Sequence, residues 1–173
     1  MKLSQTISLS HNALLKAGID HALIGGIALA TLGLNRATQD LDLLIDGKDK
    51  EKAILTLKEV GFKLEKESKE VLHFSQMGYV DILLANRSLS KDMLKNAKVI
   101  LSSKLKIKCV TAEDLVGLKI QAYKNNKDRE LQDKADIKAL YGMHKDLDIK
   151  KIKKYADLFN EWEEIKAICN IKD

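Results

Sequence analysis

The segment from Leu23 to Asp46 has the sequence LIGGIALATLGLNRATQDLDLLID, and it decides the fold of the chain. A glycine pair, Gly25-Gly26, follows a short apolar run, and thirteen residues separate it from Asp40. We predict a strand over 22–24, a helix over 27–34, and a turn at the glycine pair between them. Glycine permits a tight turn and a close approach of the backbone to a ligand. Because free N–H groups at the start of a helix attract anions, this unit predicts a phosphate-binding turn.

Acidic and apolar residues alternate strictly at the end of this segment, in Asp40-Leu41-Asp42 followed by Leu43. Side chains of a strand alternate between its faces, so the two carboxylates share one face and the leucines point into a core. Two carboxylates this close repel each other unless a cation lies between them. Mg²⁺ prefers oxygen ligands and usually takes one or two carboxylates together with substrate phosphates. Taken alone, such a pair is more often a solvated strand face, so its meaning depends on the rest of the chain.

The composition fits one soluble domain, or one domain with a small helical appendix. The chain has 173 residues, of which 45% are hydrophobic and 32% are charged. A net charge of +5, from 30 basic and 25 acidic residues, is compatible with a nucleotide or RNA partner, although it also fits an ordinary lysine-rich surface. Three Phe, four Tyr and one Trp are too few for a surface that stacks bases of single strands.

Several other classes of site and location are disfavoured. Cys109 and Cys169 lie too far apart in sequence for a CxxC motif, and the chain has no GxxxxGK[ST], HExxH or GxSxG motif. The four histidines are scattered and are interpreted as ordinary surface or core residues. The first ten residues lack the apolar core of a signal peptide, and the longest apolar run, 22–34, is too short to span a bilayer. We therefore expect a cytoplasmic protein without a membrane partner.

The remaining chain predicts more strands, then only helices. Helices are predicted over 4–17, ended by Gly18, and over 48–60, and strands over 62–67, 71–76 and 79–84, with a turn at 77–78. A short helix over 90–97 is expected to have Ser90 as N-cap, and two short strands follow over 98–101 and 105–110. Helices then begin after the N-cap Thr111 and at 129, the second stopped by Gly142, and two lysine-rich helices follow within 147–171. The pattern predicts an α+β fold with a mixed sheet flanked by helices and a helical C-terminal part.

The glycine pair, the helix-length spacer and the Asp-x-Asp strand together resemble the signature of the DNA polymerase β-like nucleotidyltransferases. The pattern Arg36-x-Thr38-x-Asp40-x-Asp42 is similar to that of the minimal nucleotidyltransferases and of the abortive-infection, AbiEii-type toxin branch. That superfamily needs a third carboxylate on a later strand, and Asp81, in the apolar run YVDILL, fits this position. Many relatives have Gly-Ser where this chain has Gly-Gly, a difference that removes a hydroxyl contact to phosphate and keeps the turn.

Two later helices extend the resemblance, which covers about residues 20–141. Lys119 lies in TAEDLVGLKIQA, and Asp133 and Asp136 lie in RELQDKADI, which begins at Arg129; both runs resemble helices of the family. The resemblance implies a nucleotidyltransferase catalytic core over 1–110. It also implies a helical part over 111–173 that packs on this core as a single unit.

The resemblance implies transfer of an NMP from an NTP, such as ATP, to a hydroxyl acceptor, with release of pyrophosphate. Two Mg²⁺ ions, or Mn²⁺ in their place, are the implied cofactors. The acceptor stays open between RNA or tRNA, a protein and a small molecule, and the toxin-type branch implies a cognate antitoxin as a partner. The implied catalytic and metal-binding residues are Asp40, Asp42 and Asp81, and the implied nucleotide-binding residues are Gly25, Gly26, Arg36, Thr38, Lys119, Asp133 and Asp136.

Two other classes of function remain open at this point. One is a catalytically inactive module of the same fold that binds a nucleotide or a partner, and the other is a basic RNA-binding domain. Each residue also has a plainer interpretation. Asp81 could pair with a lysine, Lys119 could lie on the surface, and Asp133 and Asp136 could form helix salt bridges with Arg129 and lysines.

Overall fold

The computed structural model describes residues 2–102 and 105–171 of the chain, which folds into two units. The first unit consists of Met1–Thr31 and Arg36–Val110, and the second consists of Leu32–Asn35 and Thr111–Asp173.

A mixed sheet of seven strands forms the centre of the first unit, in the order β3-β4-β5-β2-β1-β7-β6 within its described residues. The pairs β2–β5 and β1–β7 are parallel, and the other neighbours are antiparallel. The mixed sheet of the sequence prediction is thus confirmed. The strands are β1 (His21–Leu23), β2 (Asp40–Asp46), β3 (Lys63–Glu67), β4 (Val71–Ser75), β5 (Tyr79–Ala85), β6 (Lys98–Ser102) and β7 (Leu105–Cys109).

Helices flank this sheet in the described part of the first unit. Helices α2 and α4 pack against β2, and α1 packs against both α3 and β2. The alternation predicted for β2 is confirmed, because Leu41 and Leu43 are fully buried while Asp40 and Asp42 are partly exposed. The helices are α1 (Leu3–Lys16), α2 (Gly25–Thr31), α3 (Lys50–Glu59, preceded by a 3₁₀ turn over Gly47–Asp49) and α4 (Ser88–Asn96).

The second unit is helical, as predicted for the C-terminal part. Its helices are α5 (Ala112–Asn125), α6 (Glu130–Met143, preceded by a 3₁₀ turn over Lys127–Arg129), α7 (Ile149–Asp157) and α8 (Trp162–Cys169). Thr111 is the N-cap of α5, as predicted, and its hydroxyl accepts a hydrogen bond from the N–H of Asp114. The carboxylate of Asp114 also accepts from the Tyr155 hydroxyl and the Lys151 ammonium of α7, so one buried carboxylate joins two helices.

Two predicted helix ends are wrong. Helix α4 begins at Ser88, and Ser90 lies inside its first turn, where its hydroxyl accepts from the N–H of Arg87. Helix α6 continues through Gly142 to Met143. A glycine ends a helix when it takes a left-handed conformation, and Gly142 does not, whereas Gly18 after α1 does, with φ of +66°.

Both cysteines are free and buried, and burial raises the pKa of Cys109 to about 12 and that of Cys169 to about 11. Over the described residues, none of the helices combines the length and the apolar character needed to cross a membrane.

A pair of buried histidines joins α1 to the start of β1. His11 and His21 are each 5% exposed, and Nδ1 of His11 lies 2.8 Å from Nε2 of His21. Nδ1 of His21 lies 2.8 Å from the carbonyl oxygen of Ile19, which can only accept, so this nitrogen carries the proton. In the neutral forms that burial favours, Nε2 of His21 accepts from the Nδ1–H of His11. Burial lowers the pKa of both histidines below 6.5.

This pair predicts that the first unit loses stability as the pH falls from 7.5 to 5.5. The folded chain holds fewer protons on these rings than the unfolded chain does, so the free energy of unfolding decreases once the pH drops below the unfolded pKa near 6.5. Each unit of pKa depression corresponds to about 1.4 kcal/mol at low pH. Urea unfolding at several pH values measures this decrease.

A double variant, His11→Gln with His21→Gln, serves as the control for this prediction. It lacks both titrating rings and should show a smaller change of unfolding free energy between pH 7.5 and 5.5, whatever its stability at pH 7.5. An unchanged slope in the double variant would assign the pH dependence to other groups.

Candidate active site

Three carboxylates meet on one face of the sheet. Asp40 and Asp42 lie on β2, and the parallel pairing of β2 with β5 sets Asp42 directly opposite Asp81. One oxygen from each of the three side chains lies within 4.8 Å of the others, and all three residues are partly exposed. The arrangement concentrates negative charge and hard oxygen ligands at a place that solvent can reach. We refer to Asp40, Asp42 and Asp81 as the acidic cluster.

The glycine pair lies against this cluster. Gly25 has φ of +62°, and a Cβ atom placed there would overlap the carboxylate of Asp42. A Cβ atom on Gly26 would lie 2.8 Å from Oγ1 of Thr38. A side chain at either position would therefore have to displace Asp42 or Thr38. The predicted helix start is corrected here, because α2 begins at Gly25 itself and the glycine pair forms its first turn.

Thr38 and His73 form hydrogen bonds with carboxylates of the acidic cluster. The hydroxyl of Thr38 donates to Oδ1 of Asp40 at 2.7 Å, and Nδ1 of His73 lies 2.7 Å from Oδ1 of Asp81. Arg36 lies on the segment that leads into β2, two residues before Thr38, and is partly exposed. The structure thus brings Gly25, Gly26 and Thr38 of the predicted set to the acidic cluster.

His73 was missed by the sequence analysis, which interpreted the histidines as ordinary. The predicted two-residue turn at 77–78 would set residue 74 opposite residue 81, so the predicted hairpin does not point to His73. The observed register pairs His73 with Asp81 directly. The pairing puts both side chains on the same face of the sheet.

The remaining predicted residues form a separate, buried cluster within the second unit. The ammonium of Lys119 on α5 lies 2.7 Å from Oδ1 of Asp133 and 2.6 Å from Oδ2 of Asp136, both on α6. All three residues are at most 5% exposed, so Lys119 is not a surface lysine. Arg129 also contacts Asp133, and Gln132 donates to Asp136, so each buried carboxylate has at least two partners. Such pairing is what allows buried charges to persist.

Comparison with known proteins identifies the fold. No family model matches the sequence, and no curated protein matches it either. The crystal structure of the lincosamide antibiotic adenylyltransferase LnuA, bound to lincomycin, superposes with a TM-score of 0.59 at 18% identity, over 83% of this chain and 99% of that one. A nucleotidyltransferase-like antigenic protein from Paracoccidioides brasiliensis gives a TM-score of 0.59 at 18% identity, over 99% and 95% of the two chains.

The chain has the nucleotidyltransferase fold. A third structure with this fold, the antibiotic-resistance factor ANT(2'')-Ia, gives a TM-score of 0.58 at 12% identity, over 98% of this chain and 91% of that one. Identities this low establish the shared fold alone. The nucleotidyltransferase fold predicted from the sequence is therefore confirmed, and the acidic cluster lies on two adjacent parallel strands of its sheet.

We predict that Lys119→Met strongly destabilises the second unit. The substitution leaves two carboxylates buried without their shared cation, and breaking a buried ion pair from one side costs about 3–5 kcal/mol. The matched control is Lys124→Met on the same helix, whose ammonium pairs with Glu161 and is about one-third exposed; it should cost about 1 kcal/mol or less. Equal losses in urea unfolding would contradict the importance of the buried cluster.

We also predict that Gly25→Ala costs more stability than Gly18→Ala. Both glycines have similar positive φ values, so both substitutions carry the left-handed strain of about 1–2 kcal/mol. A Cβ at Gly18 meets no atom within 4 Å, whereas a Cβ at Gly25 overlaps Asp42. The difference in unfolding free energy between the two variants therefore measures the overlap alone, and a difference near zero would mean that Asp42 moves aside freely.

Proposed function

We propose that the chain is a metal-dependent nucleotidyltransferase that transfers an NMP from an NTP to a hydroxyl acceptor. The observation that carries the proposal is the acidic cluster, with three carboxylate oxygens within 4.8 Å of one another beside a glycine turn where a Cβ atom on Gly25 would overlap Asp42. The shared fold supports the same kind of reaction.

The donor set of the cluster fits Mg²⁺ or Mn²⁺. All its ligands are carboxylate oxygens, all are partly exposed, and their mutual repulsion favours a bound cation. Asp40 and Asp42 would hold both ions, and Asp81 would complete the site on the acceptor side. When bound, the two ions stabilise the attacking and leaving oxygens of the displacement.

The chain's own residues position the reactants and move the proton. The backbone of Gly25 and Gly26 would hold the β- and γ-phosphates, and the guanidinium of Arg36 suits further phosphate contacts. The acceptor hydroxyl oxygen forms a bond to the α-phosphorus while the bond from that phosphorus to pyrophosphate breaks. Asp81 would take the hydroxyl proton. Thr38 acts through Asp40, whose carboxylate it holds by a hydrogen bond.

Nucleotide binding by Lys119, Asp133 and Asp136 stays a prediction. Their charges already satisfy one another inside the second unit.

Among the three classes of acceptor we favour a small hydroxylated molecule. Two proteins with this fold carry the names of antibiotics or of antibiotic resistance. The lysine-rich helix α7 also offers less free charge to RNA than its sequence suggests, because Lys151 pairs with Asp114 and Lys153 pairs with Asp157. These pairs reduce the number of lysines available to phosphates.

The abortive-infection toxin-type branch, with its cognate antitoxin, stays a prediction that rests on the spacing of Arg36, Thr38, Asp40 and Asp42. It implies that expression of the chain stops growth, that Asp42→Asn relieves this effect, and that the labelled acceptor is RNA or protein.

The test is an incubation with each of the four α-³²P-labelled NTPs and Mg²⁺ or Mn²⁺. The acceptor pools are total RNA, cell-lysate protein, a set of hydroxylated small molecules that includes lincosamide and aminoglycoside antibiotics, and the chain alone. We expect label on one pool. Asp42→Asn should reduce transfer by at least about 100-fold, because removal of one group that stabilises the transition state typically has an effect of this size. Asp20→Asn, an exposed carboxylate paired with Lys108, is the control and should keep full transfer.

The alternatives predict different results in the same experiment. NTP binding without transfer to any pool, unaffected by Asp42→Asn, would favour an inactive nucleotide-binding module. Salt-sensitive RNA binding without NTP turnover would favour the RNA-binding domain.

A further inference from the structure

A row of four side chains crosses the sheet from its edge to the acidic cluster. The register pairs Lys66 on β3 with His73 on β4, His73 with Asp81 on β5, and Asp81 with Asp42 on β2. Residues that face each other on adjacent strands project to the same face, with Cβ atoms about 4.5–5.5 Å apart. His73 is therefore held beside Asp81 by backbone pairing on three strands, and not only by one side-chain contact.

The contact itself has the geometry of a strong hydrogen bond. Nδ1 of His73 lies 2.7 Å from Oδ1 of Asp81, and an ionised carboxylate can only accept, so Nδ1 carries the proton. A neutral ring and a protonated ring both offer this N–H, so the contact does not depend on the charge of the histidine. The side chains of His73 and Asp81 are 41% and 35% exposed, which leaves this side of the cluster open to a ligand.

Asp40 is held in the same way on the other side of the cluster. Its Oδ1 accepts from Thr38 at 2.7 Å, just as Oδ1 of Asp81 accepts from His73. In both carboxylates one oxygen is fixed by a donor and the side-chain torsion is thereby set. Without these donors, repulsion among three carboxylates would turn them away from one another.

We propose that His73 is a positioning residue that fixes the carboxylate of Asp81, so that its second oxygen faces the metal ion and the acceptor hydroxyl. The proposal rests on the proposed function. Partners that orient metal-binding carboxylates typically change metal affinity or activity by 10–100-fold when they are removed.

The test compares His73→Ala, which removes the donor, with His73→Asn, whose amide N–H can reach the same carboxylate oxygen. Mn²⁺ binding to the protein without nucleotide is measured by electron paramagnetic resonance, and kcat and KM for the NTP are measured with the acceptor that the transfer assay identifies. We expect His73→Ala to weaken Mn²⁺ binding about 10–100-fold and to lower kcat with little change in KM. His73→Asn should recover most of both losses.

The matched control is Ser75→Ala, two residues along β4 on the same face, where the hydroxyl contacts Glu65 and not the cluster. It should bind Mn²⁺ as the parent protein does. Mn²⁺ affinity of His73→Ala equal to that of the parent would overturn the positioning proposal and leave the proposed function intact. A parent protein that binds no Mn²⁺ would overturn both proposals. Mn²⁺ binding without nucleotide transfer would overturn only the proposed reaction, because the Mn²⁺ affinities of the variants still test whether His73 positions Asp81.

Discussion

Repulsion among three carboxylates is the constraint on which the rest of the first unit depends. The carboxylate oxygens of the acidic cluster lie within 4.8 Å of one another. The ionised form of each carboxylate would be more stable if that group were alone in water. The fold maintains this arrangement by strand pairing, by hydrogen bonds from Thr38 and His73, and by partial exposure to solvent. A site that is costly to keep without a ligand, and that the fold nevertheless holds in place, is characteristic of a functional centre.

The second unit handles its acidic residues in the opposite way. Asp133 and Asp136 are almost fully buried, and Lys119 and Arg129 balance their charges, while Gln132 donates a hydrogen bond to Asp136. Asp114 of α5 is likewise buried, and its carboxylate contacts Lys151 and Tyr155 of α7. The carboxylates of the acidic cluster are exposed enough to bind a cation from solvent. The buried carboxylates of the helices instead form ion pairs with side chains of the chain itself. The same residue type thus contributes a candidate site in one unit and helix packing in the other.

Local patterns were sufficient to predict most of the strands and helices, whereas the inclusion of Asp81 with Asp40 and Asp42 came from the family resemblance. The alternation around Asp40 fixes which side of β2 is buried, and the turn at 77–78 folds β5 back into the sheet. The contact of His73 depends on register, and the burial of Lys119 depends on how α5 meets α6, so neither follows from a local pattern. The misplaced ends at Ser90 and Gly142 have a similar cause. A serine can satisfy a helix N–H from inside the first turn, and a glycine can remain helical where neighbouring packing continues.

The parallel pairing of β2 with β5 has a consequence for folding. Parallel neighbours cannot be joined by a tight turn, and here α3, β3 and β4 lie between the two strands in sequence. The carboxylates of the two strands therefore meet only when a long-range contact forms, and such contacts generally form slowly. In the unfolded chain the three acidic side chains are dispersed over more than forty residues, so any cation that prefers the assembled cluster binds the native state selectively. Divalent ions would then act on this protein as folding ligands, raising its stability in proportion to the logarithm of their concentration once the cluster is saturated.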